Sequence, residues 1–167
     1  MDCNFESAIL TTDLENILRR SQLKGWTIST AESCTGGLLS ASLTKLPGSS
    51  KIFEYGFVTY SNTAKIRMLG VKPHTLQHYG AVSEAVAQEM ATGALQSSGA
   101  NIALAITGIA GPGGSELKPE GRVCFGVATR RQIRRTETMD FGPQGRNAIQ
   151  QASVKHSLQL LLGYLLS

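Results

Sequence analysis

The sequence predicts a single α/β domain, a three-layer α/β/α sandwich around a mixed, largely parallel sheet. Helical segments separate the early strand-like runs, which is typical of parallel strands joined by crossover helices. The run at 102–106 is apolar at every position, as expected of a central strand that helices cover on both faces. Two further strand-like runs lie close together near the end, so a closing hairpin adds an antiparallel portion.

Length and composition are consistent with one domain over residues 1–167. Hydrophobic residues make up 41% of the chain and charged residues 17%, ordinary values that exclude a disordered or fibrous protein. Three cysteines at distant positions, with no CxxC pair and no signal region, favour a reducing cytoplasm. The longest apolar stretch, 158–166, is about half as long as a membrane span. We therefore expect a cytoplasmic protein without a membrane segment.

Periodicity and helix-ending residues predict elements in the order α-β-α-β-α-α-α-β-β-β-α. Glycine and proline end several helices, as at Pro47-Gly48 and Gly70. Ser61 or Asn62 can cap the third helix, which places Lys65 in its first turn. We expect helices over the first ~22 residues and at about 37–46, 64–69, 73–79, 83–99 and 145–166, and strands at 26–29, 55–60, 102–106, 123–129 and 136–141.

Three hydroxyl-rich or glycine-rich turns follow predicted strands, at 31–37, 60–62 and 107–114. Ligands collect at the carboxyl ends of strands in open α/β sheets, so we expect these turns to converge on one site. The third turn begins a long loop, 107–121, and long ordered loops usually serve a site. Its glycines match neither G-x-G-x-x-G nor the P-loop pattern, which leaves a phosphate-binding role open.

The most informative segment is the small, polar run Thr30-Ala-Glu-Ser-Cys-Thr-Gly-Gly37. Ser33 is the candidate nucleophile, because N–H groups beside the two glycines can form an oxyanion pocket. Ser33 and Thr35 can equally be helix caps. Cys34 is either a rival nucleophile or a small buried side chain, and Glu32 is either a base or a carboxylate that caps backbone N–H groups. The pattern by itself leaves these alternatives open.

A serine nucleophile needs a base, and all three histidines, His74, His78 and His156, lie outside the candidate turns. Lys65 is an alternative base, because the positive end of its helix and burial beside a ligand would lower its pKa. Its ordinary role would be that of an exposed surface lysine. Tyr60 could bridge the serine and the lysine by its hydroxyl, orient a substrate, or simply be half-buried.

Neither a metal nor a nucleic acid is an expected partner. His74 and His78 stand four apart, but the glutamate of H-E-x-x-H and a nearby third ligand are missing. The net charge of +4 is concentrated in a group of arginines between two strands without interleaved aromatics, which favours a solvated hairpin. Arg146, at the start of the last helix, can supply the cation that a phosphate needs or be surface charge. The grouped arginines are Arg130, Arg131, Arg134 and Arg135.

Four motifs in one order carry a family resemblance over nearly the whole chain. They are the run at 30–37, Gly56-Phe-Val-Thr-Tyr-Ser-Asn62 with Ala64-Lys65, Gly80-Ala-Val-Ser-Glu84, and Thr107-Gly-Ile-Ala-Gly-Pro112 with Lys118-Pro119. Together they closely resemble the CinA C-terminal domain family. The chain lacks the amino-terminal domain of two-domain members, so it is similar to the stand-alone type, the nicotinamide-nucleotide amidohydrolases.

The resemblance implies deamidation of nicotinamide mononucleotide to nicotinate mononucleotide and ammonia, in pyridine-nucleotide recycling, without a metal or cofactor. Ser33 then resembles the nucleophile, Lys65 its base and Tyr60 an assisting hydroxyl, with N–H groups of the 33–37 turn holding the oxyanion. The resemblance and the apolar last helix also imply a homo-oligomer. The implied substrate-binding residues are Cys34, Thr35, Gly36, Thr107, Gly108 and Arg146, the last at the phosphate, with Ser49 and its neighbour Ser50 as weaker candidates.

Two departures from the family pattern concern the glycine-rich loop. The segment 111–119 is about one residue shorter than the usual form, and Glu120-Gly121-Arg122 stands where a small apolar residue, Gly and Thr are commoner. The alternative function is therefore a catalytically impaired paralogue that binds the nucleotide without turnover. A regulator linked to DNA uptake, suggested only by the family's competence-associated name and the arginine group, has less support.

Overall fold

The fold is a mixed five-stranded sheet between two layers of helices, which confirms the predicted α/β/α sandwich. The computed structural model describes residues 3–131 and 134–167, and within the first helix it describes side chains from residue 11 onward. The predicted order of elements is confirmed, with a short 3₁₀ helix, Ser49–Lys51, in addition. The helices are α1 Cys3–Lys24, α2 Leu38–Leu43, α3 Asn62–Leu69, α4 Pro73–Tyr79, α5 Glu84–Ser98 and α6 Arg146–Leu166. The strands are β1 Ile28–Glu32, β2 Phe53–Val58, β3 Ile102–Gly108, β4 Arg122–Thr129 and β5 Arg134–Asp140.

The sheet has the strand order β2-β1-β3-β4-β5. β1 pairs in parallel with β2 and with β3, while β4 pairs antiparallel with β3 and with β5. Four of the five strands therefore point the same way, and only β4 runs against them. As a result, β1, β2 and β3 all end at the same edge of the sheet, where the three candidate turns begin.

The central strand β3 divides the core between the two faces of the sheet. Its large side chains, Ile102, Leu104 and Ile106, pack with α1, α2 and α6, while Ala103 and Ala105 face α5. Small residues on the second face let α5 lie very close to the sheet: a Cβ on Gly126 would stand 2.3 Å from the carbonyl oxygen of Ala87. Within the described residues, none of the helices combines the length and apolarity that crossing a membrane requires.

β1 begins and ends later than the sequence predicts, at Ile28–Glu32 instead of 26–29. Thr30 and Glu32, expected in a polar turn, belong to this fully buried strand. They are tolerated there because α2 supplies partners: the hydroxyls of Thr30 and Ser40 lie 2.7 Å apart, and the start of α2 donates to the Glu32 carboxylate. The turn after β1 is consequently shorter than expected, from residue 33 to residue 37.

The arginine group surrounds the turn between β4 and β5, where the sequence predicts a hairpin. Arg130 donates to the carbonyl oxygens of Gly99 and Ala100, just after α5. The Arg131 guanidinium lies 5.5 Å from the centre of the Trp26 ring. These contacts tie the hairpin to neighbouring parts of the same chain, and the expectation that it binds no nucleic acid remains a prediction.

Candidate active site

The turns after β1, β2 and β3 meet at a cavity of about 310 Å³ at the carboxyl edge of the sheet. The first turn contributes Ser33 and Cys34, the second Tyr60, and the third the strand end at Thr107 and Gly108. α3 adds Lys65, and the start of α6 adds Arg146. The remaining residues of the wall are Asn62, Ala81, Val82, Ile109, Ala110, Gly111, Pro112 and Gly113.

Ser33 and Lys65 form a buried hydrogen-bonded pair on this cavity. The Nζ of Lys65 lies 2.8 Å from the Oγ of Ser33. Lys65 is only 1% exposed and Ser33 only 8% exposed. The same amine donates to the carbonyl oxygens of Thr59 at 2.8 Å and Tyr60 at 3.2 Å. The alternative of an exposed surface lysine is therefore wrong.

The contacts of Lys65 suit a neutral amine. Burial lowers its pKa from the ordinary 10.5 to about 8, because the charged form loses its hydration. The carbonyl oxygens of Thr59 and Tyr60 can only accept, so they take two N–H groups. The third contact is with the Ser33 Oγ: the ammonium donates an N–H to it, and in the neutral amine the same position is a lone pair directed at the Ser33 hydroxyl. The pair can thus transfer a proton from serine to lysine.

α3 holds Lys65 rigidly. Ser61, and not Asn62, caps the helix: its Oγ accepts the N–H of Ala64 at 3.1 Å. At the other end, α3 touches α5 so closely that a Cβ on Gly93 would lie 1.8 Å from the carbonyl oxygen of Leu69. Lys65 is therefore positioned by helix packing as well as by its own hydrogen bonds.

Glu32 is a capping carboxylate, which decides between the two alternatives left by the sequence. It is fully buried and accepts the N–H groups of Gly37, Leu39 and Ser40 at 2.8–3.1 Å. The hydroxyls of Thr35 and Ser40 donate to it as well, at 2.7 and 2.6 Å. Both of its oxygens are occupied in ordering the turn and the start of α2, so it has no free position for a proton from a substrate.

Cys34 has the properties of a small buried side chain and not of a nucleophile. Burial raises the pKa of its thiol to about 12, so the reactive thiolate is scarce at neutral pH. Its carbonyl oxygen accepts the side-chain amide of Gln150 from α6 at 2.8 Å. Gln150 was not identified from the sequence, because nothing local marks a glutamine in the second turn of a helix as a contact of this turn.

The backbone of the 33–37 turn leaves two N–H groups facing no protein oxygen. The N–H of Ser33 donates to Ile106, that of Gly36 to the Ser33 carbonyl, and that of Gly37 to Glu32. Among the described residues, no oxygen accepts the N–H of Cys34 or of Thr35, and the Cys34 N–H lies against its own thiol. These two groups, next to the Ser33 hydroxyl, are the candidate donors to an oxyanion.

Two residues of this turn, Thr35 and Gly36, do not line the cavity. Thr35 is buried and its hydroxyl donates to Glu32, and Gly36, which turns the chain with a φ of 59°, is exposed. The Thr35 side chain and Gly36 shape the turn, and the expectation that the two residues bind substrate stays a prediction.

Tyr60 contributes to the site in an unexpected way. Its backbone carbonyl, not its hydroxyl, contacts Lys65. The hydroxyl lies at the exposed mouth of the cavity and accepts a hydrogen bond from Arg146 at 2.9 Å. A hydroxyl that bridges serine and lysine is therefore not what the structure shows, and its placement fits the other alternative, orientation of a substrate.

Thr107, Gly108 and Arg146 lie on the cavity as expected, whereas Ser49 does not. The Thr107 hydroxyl donates to Ala81 at 2.8 Å, which joins the end of β3 to the segment before α5. Ser49, with Ser50, lies in the 3₁₀ helix that leads into β2, at the opposite edge of the sheet. The Ser49 hydroxyl lies 3.4 Å from the carbonyl oxygen of Thr44. Within one chain Ser49 does not line the cavity, and its role in substrate binding stays a prediction.

His74 and His78 lie on α4, away from the Ser33–Lys65 pair. The His78 ring packs edge-on against Tyr79, with ring centres 4.5 Å apart. In the part of the chain that the structure describes, no group of three or more His, Cys, Asp and Glu residues has an arrangement suited to a metal ion.

Comparison with known proteins shows which family this chain resembles. The model of the CinA C-terminal domain matches residues 11–165. A CinA-like protein of Chloroherpeton thalassium is 56% identical over 127 residues, which are 74% of this chain and 30% of that protein. This chain thus spans about a third of the length of that relative.

Two other relatives match over most of both chains. The nicotinamide-nucleotide amidohydrolase PncC of Escherichia coli K12 is 47% identical over 88% of this chain and 89% of its own. The crystal structure of the competence/damage inducible protein CihA from Agrobacterium tumefaciens superposes with a TM-score of 0.86 at 46% identity, covering 93% of this chain and 96% of that one. This chain therefore belongs to the CinA C-terminal domain family.

Proposed function

We propose that this protein hydrolyses the carboxamide of nicotinamide mononucleotide, giving nicotinate mononucleotide and ammonia. The observation that carries the proposal is the buried Lys65 amine 2.8 Å from the Ser33 hydroxyl at a cavity. The name of the Escherichia coli relative, which is of similar length, supports the choice of substrate. We assign the reaction to pyridine-nucleotide recycling in the cytoplasm.

Acylation begins with proton transfer within the pair. Neutral Lys65 accepts the proton of Ser33, and the Ser33 Oγ attacks the carboxamide carbon. The electrons of the C=O bond move to its oxygen, which the N–H groups of Cys34 and Thr35 stabilise. The C–N bond then breaks, and the Lys65 ammonium returns its proton to the departing nitrogen, so that ammonia leaves and an ester remains on Ser33.

Deacylation uses the same groups in reverse. Lys65 takes a proton from water, and the resulting hydroxide attacks the ester carbon on the cavity side. When the ester bond breaks, the proton on Lys65 passes to the Ser33 oxygen. Nicotinate mononucleotide leaves, and both residues regain their starting states. The sum of both halves is one amide and one water converted to one acid and one ammonia.

Arg146 supplies the positive charge for the substrate's phosphate. It is the first residue of α6, so its guanidinium and the positive end of the helix dipole lie together at the mouth of the cavity. It donates to the Tyr60 hydroxyl, which lies at the mouth of the cavity. Residues 109–113 of the glycine-rich loop also line the cavity, and the carbonyl oxygen of Gly111 accepts a hydrogen bond from Arg146.

The test is an assay of purified protein with nicotinamide mononucleotide that measures both ammonia and the acid product. Ser33→Ala and Lys65→Ala are expected to lower kcat by roughly a thousandfold or more, because each removes one half of the proton-transfer pair. Ser97→Ala is the matched control, since this serine is exposed near the end of α5 and does not line the cavity, and it should retain the parent's activity.

Two results would contradict the proposal in different ways. An active Ser33→Ala protein together with an inactive Cys34→Ala protein would show that the nucleophile is the cysteine. A parent protein that binds nicotinamide mononucleotide without releasing ammonia would refute the amidase activity and support the nucleotide-binding alternative.

A further inference from the structure

One carboxylate joins the glycine-rich loop to the start of α6. Glu120 accepts the N–H of Gly113 at 2.6 Å through one oxygen and the N–H of Gly145 at 3.3 Å through the other. Gly145 is the N-cap of α6, where it offers no side chain, and the first turn of α6 contains no acidic residue. Glu120 thus supplies, from another segment, the negative charge that favours a helix N-terminus.

The loop closes tightly around this carboxylate. A Cβ on Gly111 would lie 2.6 Å from the carboxyl carbon of Glu120, so a side chain at this position would displace the carboxylate, and the φ of +88° also favours glycine. The carbonyl oxygen of Gly111 accepts a hydrogen bond from Arg146 at 2.9 Å. Loop and helix are therefore joined twice, by Glu120 to backbone N–H groups and by Arg146 to a backbone carbonyl.

Glu120 and Arg146 do not neutralise each other. Among the ion pairs of the described residues, none joins these two side chains, and the oxygens of Glu120 are directed to backbone N–H groups instead. Among the described residues, the guanidinium donates hydrogen bonds to two neutral oxygens, those of Gly111 and Tyr60. Its charge therefore remains available to an anion at the mouth of the cavity.

We infer that Glu120 is a positioning residue for phosphate binding: by fastening the loop to the start of α6, it holds Arg146 where the phosphate of the substrate binds. The inference rests on the proposed function. It assigns a role to a residue that departs from the family's usual sequence at this position. The Ser33–Lys65 pair is held by β1 and α3 and does not depend on this connection, so loss of Glu120 affects binding and not the chemical step.

The test compares Glu120→Ala with the parent on two substrates, nicotinamide mononucleotide and nicotinamide riboside, which lacks the phosphate. We expect the KM for the mononucleotide to rise about tenfold with kcat within about twofold, because charge-assisted hydrogen bonds that order the loop are lost. The KM for the riboside should stay unchanged. Glu120→Gln, which keeps one acceptor oxygen and loses the charge, should give an intermediate KM for the mononucleotide.

Two controls separate positioning from a general loss of structure. Glu116→Ala removes an exposed glutamate from the same loop and should leave both KM values unchanged. In an Arg146→Ala background, Glu120→Ala should have no further effect on the KM for the mononucleotide, because the residue that it positions is absent. An equal rise for both substrates, or a rise that persists without Arg146, would overturn the inference.

Calorimetric titration with nicotinamide mononucleotide distinguishes this inference from the proposed function. If the parent binds the nucleotide but releases no ammonia, the amidase proposal fails, and an approximately tenfold weaker Kd for Glu120→Ala still supports the positioning role. If the parent is an active amidase, the Kd values are compared in a Ser33→Ala background, which does not convert the nucleotide, and an unchanged Kd on adding Glu120→Ala refutes the positioning role. A parent that binds no nucleotide refutes both.

Discussion

The activity is predicted to follow the protonation state of Lys65, so the perturbation is pH. Burial lowers the pKa of this lysine from 10.5 to about 8. At pH 7 about one lysine in ten is then neutral, compared with about one in three thousand without the shift, a gain of roughly 300-fold in the reactive form. The neutral amine is the species that accepts the serine proton, so the rate at low pH is proportional to this fraction.

The assay measures initial rates of ammonia release between pH 6.5 and 10 at limiting substrate. We begin at pH 6.5 because a phosphate monoester itself titrates near pH 6. The logarithm of kcat/KM should rise by one for each pH unit, bend near pH 8 and become constant above pH 9. Lys65→Arg is the matched variant: its guanidinium stays protonated over the whole range, so the rising limb should vanish together with the activity.

Two profiles would refute this reasoning. A rate that keeps rising with unit slope to pH 10 would show that burial does not lower the pKa of Lys65. A flat profile between pH 6.5 and 9 would show that this lysine is not the base. In either case the hydrogen bond between Lys65 and Ser33 would need a different explanation, such as a purely structural contact.

Two further predictions concern stability. Glu32→Gln should lower the free energy of unfolding by about 3 kcal/mol in urea denaturation, because an amide NH₂ then faces buried N–H and O–H donors. The control Glu54→Gln, on the exposed edge strand β2, should change it by less than about 0.5 kcal/mol. Equal losses in the two variants would contradict the capping role. Gly93→Ala should lower the free energy of unfolding by about 3 kcal/mol and should also lower kcat, because its Cβ would overlap the carbonyl of Leu69 at the end of α3. The control is Gly163→Ala on α6, where an added Cβ meets nothing within 4 Å. It should raise the free energy of unfolding by about 1 kcal/mol. Thermal denaturation measures both glycine variants, and a Gly93→Ala protein as stable as the parent would refute the close contact between α3 and α5.

Local signals predicted the elements that depend on local chemistry. The helix Pro73–Tyr79 was predicted with its observed bounds, because a proline can begin a helix and Gly80 ends it. The strand at the centre of the sheet was predicted from its continuous apolar run. β1 begins two residues later and ends three residues later than predicted, because its polar residues Thr30 and Glu32 are stabilised by α2, which no local pattern reveals.

The sequence predicted some residues of the candidate site but not how the others are arranged around it. Residue types, the place of Ser33 after a strand and the places of Lys65 and Arg146 at the starts of helices singled out these three residues, and all three line one cavity. The direction of the Tyr60 side chain and the distance of Ser49 from the cavity were beyond the sequence, because both depend on how separate elements are arranged in space. The same reason explains why Glu120 carried no visible role until its contacts with the loop and with α6 were known.

The sequence by itself determined the fold class, the order of helices and strands, and the residues able to do chemistry, because these follow from hydrophobic periodicity, capping residues and side-chain type. Only the tertiary structure decided which of them act together. Ser33 and Lys65 are 32 residues apart in the chain, and a lysine becomes a base only where burial removes its hydration. That burial is produced by β1, β2 and α3 together, so no segment of the sequence contains it alone.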